Sequence, residues 1–560
     1  MDTQRLILFF VFTFSLFLLL DAWQRDRQEE LGPPAASSPP AAETGPKQAA
    51  QSAEVPVPGK QLVETQGAVP QQAQPRSEPS GIVHVETDVL RAEISTVGGD
   101  LRRLEFKSHR GTLDRKKPFI LFEQNAEHTY VAQSGLIGQE LPNHRTRFSS
   151  PADRFVLEPG QKYVEVPLTA AVGPGIEVTK IYRFERGSHL IDVSFEIANN
   201  GAAPIQPYAY FQLVRDEKPP EGDSAMVPTF TGIAVYTDKE KFQKVGFEDV
   251  QKGKAPYPKN SLDGWIGMVQ HYFVGAWLPR NGEPREFYTR RLEGGLYAAG
   301  TIVPVGAIPP GGRARVTVPL YAGPQVQDKL AAIAPGLDLT VDYGWLTVIA
   351  VPLFWVLDWL HKWVQNWGVA IILLTIIIKL IFYPLSAASY RSMARMRVVA
   401  PKLQKLKDQY GSDRQRLQQA MMELYKSEKI NPLGGCMPII VQIPVFIALY
   451  WVLLGSVELR HAPFMLWITD LSSPDPYFVL PVLMGLTMII QTWLNPTPPD
   501  PVQAKVMKIM PIAFSIFFFF FPAGLVLYWL VNNVLSIAQQ WQITRMIERD
   551  SRVAARKGQR

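Results

Sequence analysis

The chain has 560 residues, enough for two or three domains, and 47% are hydrophobic against 19% charged. That balance excludes a disordered chain, and the single cysteine, Cys436, excludes an internal disulfide or a Cys-based metal site. The net charge of +6 is concentrated beside apolar runs: residues 386–431 carry ten Lys/Arg against four Asp/Glu, and residues 545–560 carry six against two.

The first apolar run, LILFFVFTFSLFLLL (6–20), is followed by DAWQRDRQEE, without a clear small-x-small cleavage site. Residues 1–27 therefore read as an uncleaved transmembrane anchor, with Thr3 to Trp23 supplying the about 17–25 residues a span needs. Residues 28–80 contain ten prolines and no aromatic residue, the composition of a disordered tether. Residues 81–335 change character. Stretches such as KYVEVPLTAAV (162–172) and ARVTVPLYAG (314–323) alternate with period two between turn residues, which predicts one large antiparallel β-sandwich.

Residues 336–365 read as a connector and an amphipathic helix. Asp358, His361, Lys362 and Gln365 share one face, and Trp355, Trp359, Trp363 and Trp367 form a stripe at spacing four. Aromatic rings beside a polar face fit a helix in the membrane interface; a helix packed on the β domain is the plainer alternative.

Residues 366–545 alternate apolar spans with loops, at about 366–385, 436–456, 477–494, 506–522 and 524–543. With the anchor that makes six spans, so both termini share a side. The ten basic residues of 386–431 against one, Arg460, in 457–476 put the termini in the cytoplasm and the β domain outside it. Segment 386–431 reads as a basic helical hairpin. Its turn is Gly411-Ser412-Asp413, and Pro401 is expected to kink or restart the first helix. Residues 546–560 read as a basic cytoplasmic tail.

Only Thr375 and Lys379 break the run AIILLTIIIKLIFYPL (370–385). A lysine at a span's centre costs about 2.5–3.5 kcal/mol and ordinarily faces a bundle interior or a watery cavity. Thr375, one turn earlier, shares its face. No Asp or Glu sits deep in a span, so the ammonium needs hydration, which predicts a cationic, water-filled cavity. Snorkelling of the long stem toward Pro384 is the alternative. Gln442, Thr487, Gln491, Ser515, Asn532, Asn533, Gln539 and Gln540 are further polar groups within spans, each equally suited to hydrogen-bonding between helices. There is no P-loop, HExxH or GxSxG, and the eight histidines lack metal-ligand spacing. No enzyme activity, cofactor, metal or DNA partner is expected. An ion channel or transporter using these polar groups is one competing reading. A membrane-tethered sugar enzyme is another, without paired carboxylates to support it.

NWGVAIILLTIIIKLIFYPLSAASYRSMARM (366–396), NPLGGCMPIIVQIPVF (431–446) and FPAGLVLYWLVNN (521–533) resemble the YidC/Oxa/Alb family of membrane protein insertases. The anchor, tether and β domain are similar to the family's long Gram-negative form. The resemblance implies an α-helical membrane protein of six transmembrane helices. Five of them surround a hydrophilic groove, and a periplasmic β-supersandwich is attached. The implied substrate groove comprises Lys379, Thr375, Gln442, Tyr528, Trp529, Asn532 and Ser515. The family usually has Arg where this chain has Lys379, and commonly Tyr where it has Trp529. The implied location is the bacterial inner membrane. Implied partners are nascent inner-membrane proteins, the Sec translocon, anionic phospholipids and the ribosome. The ribosome and the lipids are expected to meet the tail and the hairpin cations Arg391, Arg395, Arg397, Lys402, Lys405 and Lys407.

Overall fold

The computed structural model describes Pro56 and residues 81–112, 114–172, 175–220, 229–410, 413–428, 437–494 and 501–557. The expected anchor, and the tether but for Pro56, lie outside the described residues, as does Cys436. Two compact units emerge, a β-rich one that runs to Asp342 and takes in Gly455–Glu458, and a helical one formed by Tyr343–Leu454 and the residues from Leu459 on.

The β unit holds a ten-stranded and an eight-stranded sheet. Among the described residues, strand pairing is antiparallel apart from one short parallel contact between Ile82–Glu86 and Arg154–Val156. The core follows from period two. In Ile176–Glu185 the inward positions are Val178, Lys180, Tyr182 and Phe184, and in Leu190–Asn199 they include Ile191, Val193, Phe195 and Ile197. Lys180 thus occupies a core register and is fully buried. Its ammonium donates to the carbonyls of Gly98 (3.0 Å) and Ser134 (3.1 Å). Gly99, at φ +59°, makes room for it: a Cβ there would come within 3.0 Å of the Lys180 stem. Asp100 is buried nearby. It accepts from Gln133 at 3.0 Å, and its other oxygen has no hydrogen-bond partner.

The helical unit contains eight α-helices among the described residues: α1 (Thr347–Val364), α2 (Trp367–Ile381), α3 (Tyr383–Tyr410), α4 (Arg414–Ser427), α5 (Met437–Gly455), α6 (Val479–Leu494), α7 (Pro501–Phe517) and α8 (Ala523–Lys557). By length and composition Gly344–Val364 could cross a membrane, and Trp367–Ile381 with Tyr383–Met393 passes only as a pair bent by 65°.

Several boundaries depart from the sequence reading. The expected span 366–385 breaks at Phe382. Pro384, in the first turn of α3, needs no backbone donor there and starts the new helix. The helix runs on through Pro401 without restarting. On α1, Trp355, Trp359 and Trp363 are exposed, but Trp367 leaves the stripe. Gln365 ends α1 in a left-handed conformation, and Trp367 starts α2 buried, stacked on His361 at 3.9 Å. Helix α7 passes at Phe518 into a 3-10 turn that stops at Phe520, two residues before the expected end, because Pro522 forces Phe521 into an extended conformation. No proline follows Gly524 in α8, so the expected tail continues that helix to Lys557.

The hairpin of α3 and α4 closes as its periodicity requires. Val399 and Leu403 pack on Met421, Leu424 and Tyr425, and Asp413 caps α4 through the Gln415 and Arg416 amides.

Candidate functional site

The site begins with α2, whose β-branched and leucine-rich sequence leaves one cation to place. Lys379 is 6% exposed. Its Nζ reaches across to α8 and donates to the Ser536 hydroxyl at 2.7 Å, instead of running along α2 to the helix end. Ser536 donates in turn to the Asn532 carbonyl one turn earlier, at 2.7 Å. The Asn532 side chain accepts from Gln442 of α5 at 2.5 Å. A polar chain, Lys379–Ser536–Asn532–Gln442, therefore ties α2, α8 and α5 together. Ser536 also meets the Tyr390 hydroxyl of α3.

The other expected groove residues divide. Thr375 is fully buried one turn before Lys379, but its hydroxyl is spent on the Ile371 carbonyl of its own helix (2.7 Å). Tyr528 lies one turn before Asn532; its hydroxyl faces Gln442 without a well-aligned hydrogen bond. Trp529 packs edge-on against Phe446, ring centroids 4.4 Å apart, with its indole nitrogen buried and unpartnered. Ser515 stands apart. It donates to the Pro481 carbonyl at 2.9 Å and joins α7 to α6 over Gly485. Asn533 and Gln540 are likewise interhelical, bonding Thr487 (3.4 Å) and the Leu494 carbonyl (3.1 Å) of α6.

Ser536 is the member that sequence reasoning missed. Its signal is spacing: Asn532 and Ser536 are four apart and share a helix face, while Asn533 and Gln540, seven apart, share another.

In the hairpin, Arg391, Lys402 and Lys405 are exposed, and Lys402 pairs with Glu428 across the turn at 2.6 Å. Arg395, Arg397 and Lys407 lie on the same helix, with their side chains outside the described part. Among the described residues no cluster of three His, Cys, Asp or Glu could hold a metal ion.

Known proteins resemble both the β-rich and the helical part of the chain. The family model for the YidC periplasmic domain covers residues 82–356, and that for the 60Kd inner membrane protein covers 359–550. The protein named membrane protein insertase YidC of Nitrosospira multiformis is 58% identical, covering 98% of each chain. The chain belongs to the YidC family of membrane protein insertases. The YidC relative of Methylobacillus flagellatus is 57% identical over 100% of this chain and 99% of its own. A solved structure described as an active YidC insertase with the first transmembrane domain resolved aligns over 83% of this chain and 92% of that one, at 19% identity and TM-score 0.38. In YidC terms the two-sheet unit is the periplasmic domain and the helical unit the inner-membrane part.

Proposed function

We propose that this chain inserts proteins into the bacterial inner membrane and helps them fold there, with the Lys379 chain as a wet, positive foothold inside the bilayer. The observation that carries this reading is a buried ammonium whose hydrogen-bond partner is a neutral hydroxyl. A cation at that depth costs about 2.5–3.5 kcal/mol, and a chain of neutral dipoles offsets that by hydrogen bonding without cancelling the charge. The charge stays available to a substrate.

An acidic or polar extracellular tail enters from the cytoplasmic side and is drawn toward Lys379. Water beside the polar chain shortens the dry part of its crossing. The substrate's apolar segment then passes into lipid. No nucleotide is needed: burial of that segment drives the step, and the membrane potential adds about 2.3 kcal/mol per charge per 100 mV. Lysine in place of the family's usual arginine retains attraction but not a bidentate clamp, which suits transient contact.

Six spans, with both termini cytoplasmic and the β domain periplasmic, complete the reading. The exposed cations Arg391, Lys402 and Lys405 offer a surface to anionic headgroups and ribosomal RNA. Substrates arrive from the ribosome directly or through the Sec translocon.

The test compares wild type with Lys379→Arg, Lys379→Ala and Lys379→Glu in liposomes, quantifying insertion of a single-span substrate with an acidic tail. Arg is expected to work, Ala to be weak and Glu to fail. Equal insertion by the Ala variant overturns the role of the charge. Ion flux without substrate would favour the channel reading instead.

A further inference from the structure

We propose that the loop from Leu459 to Phe478 is a positioning clasp that holds α2 and α8 in the register at which Lys379 meets Ser536. The proposal rests on the reading of Lys379 above.

The loop ties together three helix starts. Helix N-termini leave backbone donors without partners in their own helix, and these donors are good attachment points. At α8 the Ala523 and Gly524 amides donate to the Ser473 (2.8 Å) and Leu471 (2.9 Å) carbonyls. At α6 the Leu480 amide donates to the Asp475 carboxylate at 2.8 Å. At α2 the cap residue Asn366 works in two directions. Its oxygen accepts from the Val369 amide at 3.1 Å, and its amide nitrogen donates to the Phe464 carbonyl at 2.8 Å. The Phe464 ring lies on Gly368 so closely that no Cβ fits between them. Gly524 is wedged between Leu471 of the loop and Ile371 of α2, where an added Cβ would already touch both.

The loop has its own rigid frame. Asp470, nearly fully buried, accepts from the His461 amide (3.1 Å), the Ser472 amide (2.8 Å), the Ser472 hydroxyl (2.7 Å) and the Ser473 hydroxyl (2.8 Å). Its second oxygen also faces His461 Nδ1 at 3.1 Å. Asp475 adds the Trp467 indole at 3.0 Å. A frame so held transmits position from one helix to another.

The lever arms match. From Asn366 to Lys379 is about 20 Å of helix, and from Gly524 to Ser536 about 18 Å, at 1.5 Å per residue. Pinning both helices at the loop therefore brings Lys379 and Ser536 to nearly the same depth. A slip of one residue in α8 moves Ser536 by about 1.5 Å and turns it about 100° away. The 2.7 Å contact does not survive that. Asn366, Phe464 and Asp470 are thus positioning residues that act through Lys379.

The test uses full-length protein in membranes. A short bismaleimide bridges Lys379→Cys and Ser536→Cys in a Cys436→Ser background. Asn366→Asp keeps the capping oxygen but removes the donor to Phe464; Asp470→Asn unties the frame. Each is expected to lower crosslinking several-fold. With Lys379 intact, Asn366→Asp is expected to reduce insertion of the acidic-tail substrate several-fold. In a Lys379→Ala background it is expected to add no further loss. Unchanged crosslinking, or losses that multiply with Lys379→Ala, overturns the clasp. If Asn366→Asp does not fold, Phe464→Ala is read by the same crosslink. If Lys379→Ala inserts like wild type, the functional reading fails, and the crosslinking yields still judge the clasp.

Discussion

Lys379 of α2 and Ser536 of α8 share a 2.7 Å hydrogen bond although 157 residues of sequence separate them. The bond joins a cation to a group that can accept it without neutralising it. A carboxylate in the same place would make the charge unavailable.

That distinction predicts unequal outcomes at one position. Ser536→Asp is expected to form an ion pair with Lys379 and to lower insertion of an acidic-tail substrate several-fold in liposomes. Ser536→Ala removes one hydrogen bond to a charged group, about 1.5–3 kcal/mol, but leaves the charge free, and is expected to lower insertion less than Ser536→Asp does. Equal activity of the two variants would contradict a role for the free charge.

Gly485 and Ser515 give a packing prediction. A Cβ at Gly485 would lie 2.6 Å from the Ser515 Oγ, so α6 and α7 approach as close-packed neighbours there. Gly485→Ala is expected to cost about 1–3 kcal/mol through overpacking. Gly485→Ala with Ser515→Gly should recover part of it. Thermal unfolding in detergent reads both, and no recovery in the double variant would refute the contact.

Lys180 gives a stability prediction in the periplasmic domain. Burial pulls its amine down to about 8 against the pull of Asp100. Lys180→Met leaves the Gly98 and Ser134 carbonyls without their donor and Asp100 without a nearby positive charge, and each buried polar group left unsatisfied costs about 1–3 kcal/mol. Adding Asp100→Asn is expected to restore part of the loss. Hydrogen exchange of the strand amides in the full chain measures it, and wild-type protection in Lys180→Met would refute it.

Acid should reveal two opposing effects in the same domain. Burial lowers His144 and His189 from an ordinary 6.5 to about 4, so their stabilisation is full above pH 6.5 and is lost as pH falls toward 4. The loss is on the order of 3 kcal/mol per imidazole. Asp100 runs the other way. Burial pushes it from 3.8 up to about 7, so falling pH through that window stabilises the fold. Asp100→Asn is therefore expected to steepen the acid loss between pH 6.5 and 4. Parallel stability curves for the two proteins would show that Asp100 does not titrate in this window.

Much of the candidate site was legible because it breaks a pattern. Lys379, Gln442 and Asn532 stand out as polar groups in apolar runs, and all three fall in the polar chain. Ser536 did not stand out, because serine is small and common in apolar helices, where its hydroxyl bonds back to its own backbone. Ser515 has the same sequence character and a different fate, holding α7 on α6. Lys180 was hidden for another reason. Its strand alternates as any sandwich strand does, and only the facing sheet shows that its position points into the core.

Local composition determined the order of parts: a Pro-rich segment, an alternating β region, apolar helices and a basic hairpin. Period, charge and helix breakers are properties of neighbouring residues, so they survive in a linear reading. Tertiary structure decided the partners. Whether Lys379 faces Ser536 and whether Ser515 faces a groove or a glycine depend on residues tens to hundreds of positions away. A hydrogen bond requires a meeting in space, and the loop that caps α2, α6 and α8 sets that meeting without leaving a motif.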